Sequence, residues 1–545
     1  MSSVHDASAP TAGKTTAKKS GSCGPIAVSN KTKIRGLVLV GVHVAAFLHL
    51  AHWKIAGTTL TPVEPSESMQ TLELGYVNAG FILFALALLA TLVFGRFFCG
   101  WGCHVVALQD ACGWLMTKAG VRPRPFRSRL LAYVPLIAGV YMFIWPTLKR
   151  YVNFADFVPD LLRRILDWPT SATWFDVYRK PDWKPHLFTD DVWRTFPGWT
   201  MGLLTLFTAG PLIVWFLGNK GFCTYGCPYG GLFGVVDRFA PMRVRVTDAC
   251  EGCGHCTAVC TSNIRVHEEV RLFKAVVDPQ CMKCMDCVDV CPKDALYVGF
   301  GPPAVLTKAS PAKPRRTFDL SLTEELVLAV VFAAAVFAFR SLYDQVPFLM
   351  ALALAAILSF SLRVLWKMLL GRPTAIQNVK LTEVRRPTRA GLLLGGALAV
   401  FVAFGAHSFL VQYHDTAGRY YLREHNVLVD AGKGQSTESR DLLISSAEHL
   451  DRAVDMGLLP MRTIALASAR SWFKLNAFDR AVARFAPLLA EKTETPEDLL
   501  MLAIARGQTG DVKGGIADVE SYLRLRPDNQ AARSMLLEMK KSLGG

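Results

Sequence analysis

The chain is 545 residues long, 51% hydrophobic and 19% charged, with a formal net charge of +16. A mean hydropathy of +0.28, and a charged fraction below the about one quarter usual in soluble domains, exclude an ordinary soluble protein. The positive charge lies in blocks beside apolar runs, so it reads as a topology signal and excludes a nucleic-acid partner.

In chain order, residues 1–33 are Ser, Thr, Lys, Ala and Gly, the composition of a disordered basic tail. No secretory signal fits, because the first apolar run is too long and lacks a small-residue cleavage site. Cys23, in GSCGP, follows no apolar segment and reads as incidental. Runs long enough to span a bilayer, roughly 20 residues each, follow at Ile34–Trp53, Tyr76–Phe94, Leu130–Leu148, Pro197–Leu217, Leu326–Tyr343, Val346–Leu362 and Ala390–Val411. The fifth is the weakest, with Glu324, Glu325 and Arg340 at its ends, so seven spans are expected and six is the alternative.

Lys and Arg crowd the segment before the first span and the second and sixth connections. The first connection, Gly57 to Gly75, has neither and carries Glu64, Glu67 and Glu73. That alternation puts the N-terminus in the cytoplasm and, with seven spans, the C-terminal tail outside. The third connection, Lys149 to Phe196, is mixed in charge and supports neither orientation.

Two near copies, FCGWGC (Phe98 to Cys103) and FCTYGC (Phe222 to Cys227), end the second and fourth spans. Both spans run inward, so Cys99, Cys103, Cys223 and Cys227 are expected at one cytoplasmic edge. Continued as helix, each pair would share one face about a turn apart. Four such thiolates suit an iron–sulfur cluster, copper(I), zinc, or two dithiol couples. The plain alternative is packing, since free Cys behaves as a small hydrophobe; the repeated Phe, Gly and spacing argue against it. Pro228 follows the second pair, whereas His104 follows the first and is a candidate nitrogen ligand or proton acceptor. Cys112 has no counterpart and reads as packing.

Residues 241–300 hold eight of the 14 cysteines, in two C-x2-C-x2-C-x3-C runs. That spacing wraps three thiolates round one cubane and sends the fourth to its neighbour. The expected ligands are Cys250, Cys253, Cys256 and Cys291 for one [4Fe–4S] cluster, and Cys281, Cys284, Cys287 and Cys260 for the other. Zinc ribbons use four cysteines per site in C-x2-C pairs rather than two runs of four, and a reducing compartment disfavours disulfides. Val266 to Val277 reads as a hairpin between the half-motifs.

With these motifs in view, Ile34 to Phe300 resembles the membrane-bound polyferredoxins, which include NapH-type, NosR-type and CcoG-type proteins. The resemblance rests on GRFFCGWGC, GFCTYGCP and the doubled cluster motif. It implies one-electron transfer at the inner membrane, often between quinols or cytoplasmic donors and periplasmic metalloenzymes. His104 departs from the family's first CxxxCP. Flavin is not implied, because no outer N-terminal domain is present, and the C-terminal region is unlike the sandwich domain of CcoG-type proteins.

After a linker at 301–321 and the last spans at 322–411, residues 412–545 turn helical and Ala-rich. Met461 to Thr495 and Pro496 to Asn529 align at a period near 34 residues, preceded by an incomplete unit (Leu442 to Leu459) and followed by a capping helix (Gln530 to Leu543). This resembles a short tetratricopeptide array, whose concave face would dock a partner. The plain alternative is a generic helical domain. His43, His49 and His52 in the first span and His407 in the seventh are candidates for a quinone contact or an interhelical hydrogen bond. A haem held by His49 and His407 is conceivable in geometry and is not expected.

The expected fold is a polytopic α-helical membrane protein of about seven spans. A 2[4Fe–4S] ferredoxin domain of α+β type is inserted after the 34–240 membrane domain, and an all-α TPR-like domain ends the chain. The expected function is electron transfer at a bacterial inner membrane through two cytoplasmic clusters and a four-thiol site. The redox partner would dock on the periplasmic repeats, with quinone as a candidate coupling molecule. An assembly factor that reduces or carries a metal such as copper, and a scaffold with structural clusters, are the rivals. No dinucleotide fingerprint or nucleophile constellation marks a complete enzyme, so an electron-transfer subunit is expected.

Overall fold

The computed structural model describes residues 29–121, 123–146, 183–195, 198–310, 318–383, 386–491 and 495–543. The tail to residue 28 with Cys23, most of the third connection and the middle of the 301–321 linker lie outside the described residues. Among the described residues five helices are long and apolar enough to cross a membrane: Asn30–Ala56, Trp199–Leu217, Leu322–Phe339, Phe348–Leu369 and Arg389–Asp430. Two shorter apolar helices, Ala79–Phe94 and Leu131–Ile144, stand where the second and third spans were expected. The former starts three residues later than the apolar run, because Asn78 accepts the Phe81 amide as an N-cap while Tyr76–Val77 pairs as a strand with Lys184–Pro185.

The doubtful fifth run forms the helix Leu322–Phe339, which starts four residues earlier than expected and ends four residues before Tyr343. Its acidic residues belong to its start: Ser321 and Glu324 close a capping box, and Glu325 accepts the Arg129 amide. Arg340 is the C-cap and stacks its guanidinium over the Tyr141 ring. Within Trp199–Leu217 a π turn at Thr208–Leu212 absorbs Pro211.

The boundary expected at residue 412 is not there. Arg389–Asp430 is one helix of 42 residues, about 63 Å long, which passes from the apolar layer into the C-terminal helices. A small antiparallel sheet of Thr374–Ile376, Val379–Glu383 and Arg386–Pro387, not foreseen from the sequence, precedes it.

The cysteine-rich segment is closed by strands Arg243–Val246 and Leu296–Gly299, paired antiparallel. The hairpin expected over Val266 to Val277 is instead the helix Val266–Phe273. Val266 and Val270, four apart, bury one helical face, and Glu269 accepts the amides of Val277 and Asp278.

The tail stacks helices Thr437–Met456, Arg462–Lys474, Phe478–Glu491, Pro496–Gln508, Val512–Leu525 and Gln530–Leu543. Small buried residues, Ala469, Ala481, Ala503 and Ala505 among them, let these helices approach closely around Phe485 and Trp472. Helix Leu322–Phe339 separates the two polar domains. At its start Asp319 bonds the Arg127 backbone, and Arg127 bonds Asn263 of the cysteine-rich segment. Beyond its end, Asp344 and Tyr343 bond Thr463 and Leu458 of the C-terminal helical region. The cysteine-rich domain and that region therefore lie at opposite ends of this helix.

Candidate functional site: four thiols above a ferredoxin loop

Each FC-x-x-GC element folds the same way. Phe97–Trp101 and Gly221–Tyr225 are single-turn helices ended by Gly102 and Gly226, whose amides bond the carbonyls of Phe98 and Phe222 at 2.8 Å. A Cβ on either Gly would lie 3.1 Å from the ring of that same Phe. The Phe and the Gly are duplicated because each turn packs closely against the ring, where a side chain would be a tight fit.

The expected continuous helix through each pair is corrected by these turns. Cys103 and Cys227 sit in extended backbone as N-caps of the next helices, His104–Lys118 and Pro228–Asp237. That also explains the His104/Pro228 difference: both occupy the first position of a helix, where no backbone N–H is needed.

The two elements bring their thiols together. Cys99 and Cys223 share one buried cluster with Phe84, Phe143, Phe233 and Met282, with Cys103 packed on it. Cys223 and Cys227 both lie within the electrostatic reach of Cys99 and Cys103. The charged neighbours of His104 are Glu64 and His43. Among the described residues no three His, Cys, Asp or Glu side chains stand close enough to hold a single metal ion.

The cysteine-rich domain meets this site directly. Gly100, between Cys99 and Cys103, lies against the Met282 carbonyl, where a Cβ would collide. Trp101 donates its indole N–H to the Lys283 carbonyl at 3.0 Å. Lys283 is fully buried and donates to Asp237 at 2.9 Å, which also accepts the Arg96 amide and pairs with Arg243. On the other flank, Thr32 donates to Asp286 at 2.7 Å, and Arg35 pairs with Asp110 and lies 3.6 Å from Asp286.

In the cysteine-rich domain, Cys250, Cys253, Cys256 and Cys291 line one small cavity. Cys260 is close in charge to Cys284 and Cys281, across the sequence from its own run. Burial pushes the bare thiol of Cys256 up to about 11 and that of Cys260 up to about 12. These thiols become thiolates when a cationic centre replaces their protons, which fits iron–sulfur ligation. None of the thirteen cysteines in the described residues is in a disulfide.

Of the other candidates, Cys112 is buried beside Gly210. His43, His49 and His52 bond the Leu39 carbonyl, the Leu60 carbonyl and the Thr59 hydroxyl. Sequence reasoning missed Arg96 and Lys220, each three residues ahead of its cysteine pair and almost fully buried. The signal was present in the duplication, as a cation at the same offset in both copies.

Comparison with known proteins agrees with this geometry. Residues 249–296 match the 4Fe-4S dicluster domain family, and residues 78–122 and 199–247 match a 4Fe-4S binding domain family. With these matches and its apolar helices, the chain is similar to the membrane-bound ferredoxin-type iron–sulfur proteins of electron transport.

Among its relatives is YccM of Escherichia coli K12, a protein assigned by description to electron transport, 27% identical over 51% of this chain and 71% of its own length. The ferredoxin-type protein NapH of Haemophilus influenzae is 25% identical over 39% of this chain and 64% of its own. The methylamine utilization ferredoxin-type protein MauN of Methylobacillus flagellatus is 25% identical over 39% and 66%. No solved structure matches.

Proposed function

We propose that the chain relays single electrons between a polar domain on one face of a bacterial inner membrane and a partner on the other, through three iron–sulfur sites. Cys250, Cys253, Cys256 and Cys291 hold the first cluster, and Cys281, Cys284, Cys287 and Cys260 hold the second. Cys99, Cys103, Cys223 and Cys227 hold a third. When bound, such clusters take up and release one electron each.

The chain's own residues do the rest. Gly100 permits backbone contact between the four-thiol turn and the second cluster loop, and Trp101 and Lys283 hold the two in register. The hydrophobic cluster around Cys99 and Cys223 buries both thiols. That contact at Gly100 is the observation that carries the proposal, because electron transfer needs short, fixed separations. The 4Fe-4S description of the family matching both segments supports a polynuclear cluster on the four thiols.

The first helix begins against Asp286 and Asp289, beside the cluster loops. With the basic residues on that side, this supports a cytoplasmic ferredoxin domain and periplasmic repeats offered to a redox partner, with seven spans. A quinone is the candidate exchange molecule within the membrane.

The test is iron and sulfide content. About twelve of each per chain are expected from three cubanes, falling to about eight in Cys99→Ala and in Cys223→Ala alike. One copper or zinc per chain, lost in both variants with eight irons kept, would instead favour the metal-handling rival.

A further inference from the structure

The buried charges between the second cluster loop and the four thiols are not all answered. Arg35 is matched by Asp110 and Asp286, and Lys283 and Arg243 by Asp237. Lys220 is 2% exposed; among the described residues its Nζ has no hydrogen-bond partner, and Asp110 Oδ1 lies 4.0 Å away. A buried ammonium whose counterion is this distant is further stabilised by any negative charge brought beside it. Lys220 immediately precedes the turn Gly221–Tyr225 that carries Cys223, and its neighbour Asp110 is tied through Arg35 to Asp286, two residues beyond Cys284. Both thiols lie within its electrostatic reach.

Arg96, its counterpart in the first copy, repeats the placement. Its charge faces Cys99 and Cys227, and its guanidinium donates at 3.0 Å to the carbonyl of Pro279, two residues before Cys281. Each copy of the duplicated element thus carries one buried cation wedged between the four thiols and the second cluster loop.

We propose that Lys220 is the shared countercharge of the two sites, raising the reduction potentials of both the cluster on Cys284 and the group on the four thiols. This rests on the reading of both as electron-carrying sites. An electron arriving at either adds one negative charge there, and a fixed cation in a dry interior favours that reduced form. Because Lys220 faces both, an electron passing from one site to the other stays within its field, so the step changes little in its interaction with the lysine. The charge biases the pair toward reduction while leaving the difference between its two members small. Lys220 acts here as a positioning charge and not as a ligand.

The test is an EPR-monitored redox titration with dithionite of the full-length protein, purified with its clusters. Lys220→Met should lower the midpoints of the Cys284 cluster and the four-thiol site together and leave the cluster on Cys250, Cys253 and Cys256 unmoved. Lys220→Arg should restore them. Asp110→Asn, which removes the nearest opposing charge, should move the same two midpoints upward. Full iron content in Lys220→Met with unchanged midpoints overturns the proposal. Should Lys220→Met lose iron, Asp110→Asn decides: an upward shift supports the proposal and no shift sinks it. If the four-thiol site proves to hold no cluster, the proposed function fails at that point, while the Cys284 midpoint still tests the role of Lys220.

Discussion

Trp101 donates its indole N–H to the backbone carbonyl of Lys283 over 3.0 Å, tying the turn between Cys99 and Cys103 to the loop between Cys281 and Cys284. Replacing it by Phe keeps the ring and removes one hydrogen bond, a loss of about 1 kcal/mol. Trp101→Phe should keep full iron content but slow electron passage between the second cluster and the four-thiol site. Rapid-mixing kinetics with a cytoplasmic-side reductant would show it; an unchanged rate would mean that the bond does not set the contact.

Gly100 and Gly102 make different demands. A methyl at Gly102 meets the Phe98 ring at 3.1 Å, whereas at Gly100 it runs into the rigid Met282 carbonyl. Overpacking of this kind costs about 1–3 kcal/mol. Gly100→Ala should therefore open the ferredoxin domain to protease more than Gly102→Ala does, and Gly226→Ala should resemble Gly102→Ala. Equal protease sensitivity at Gly100 and Gly102 would contradict the backbone contact.

Cys260 lies in the first cysteine run but faces Cys281 and Cys284. Cys260→Ser should alter the EPR signal of the second cluster and spare the first. Damage confined to the first cluster would reverse the ligand assignment.

Topology can be read by labelling. A cysteine introduced at Lys540 should react with a membrane-impermeant reagent in intact cells, and one at Lys293 should not, since the C-terminal helical region and the ferredoxin domain lie at opposite ends of the helix Leu322–Phe339. Labelling of both would show that the span count is wrong.

Asp518, in the last full helix pair, is pushed up to about 6 by burial despite Arg506 at 3.0 Å. The fold therefore binds this proton more tightly than the unfolded chain, whose carboxyl titrates near 3.8. The resulting stabilisation is complete below that value and is lost as pH rises through about 6. Amide-exchange opening energies of Val512–Leu525 should fall between pH 4 and 7, and Asp518→Asn should flatten the trend.

The sequence by itself determined the chemistry and much of the layout. Cubane ligation needs thiols at fixed local intervals, so the eight ferredoxin cysteines were legible from spacing, and helices that must satisfy their own backbone in lipid announce themselves as apolar runs. The helices of the tail were legible as well, since their apolar and small residues recur at helical spacing.

Tertiary structure decided what depends on parts distant in sequence. Val266–Phe273 is a helix because its one apolar face packs on the cluster domain, a face too short to be told from a strand by pattern. The cysteine pairs turn rather than continue as helix because Gly102 and Gly226 fold back on Phe98 and Phe222. The long helix runs on past residue 412 although its apolar composition ends at Val411, because its backbone hydrogen bonds continue whatever its side chains face. Most of all, the meeting of Gly100 with Met282, and the placing of both Cys223 and Cys284 within reach of Lys220, join segments some sixty to nearly two hundred residues apart. Buried charge is governed by the charges folded around it, and no local pattern carries that information.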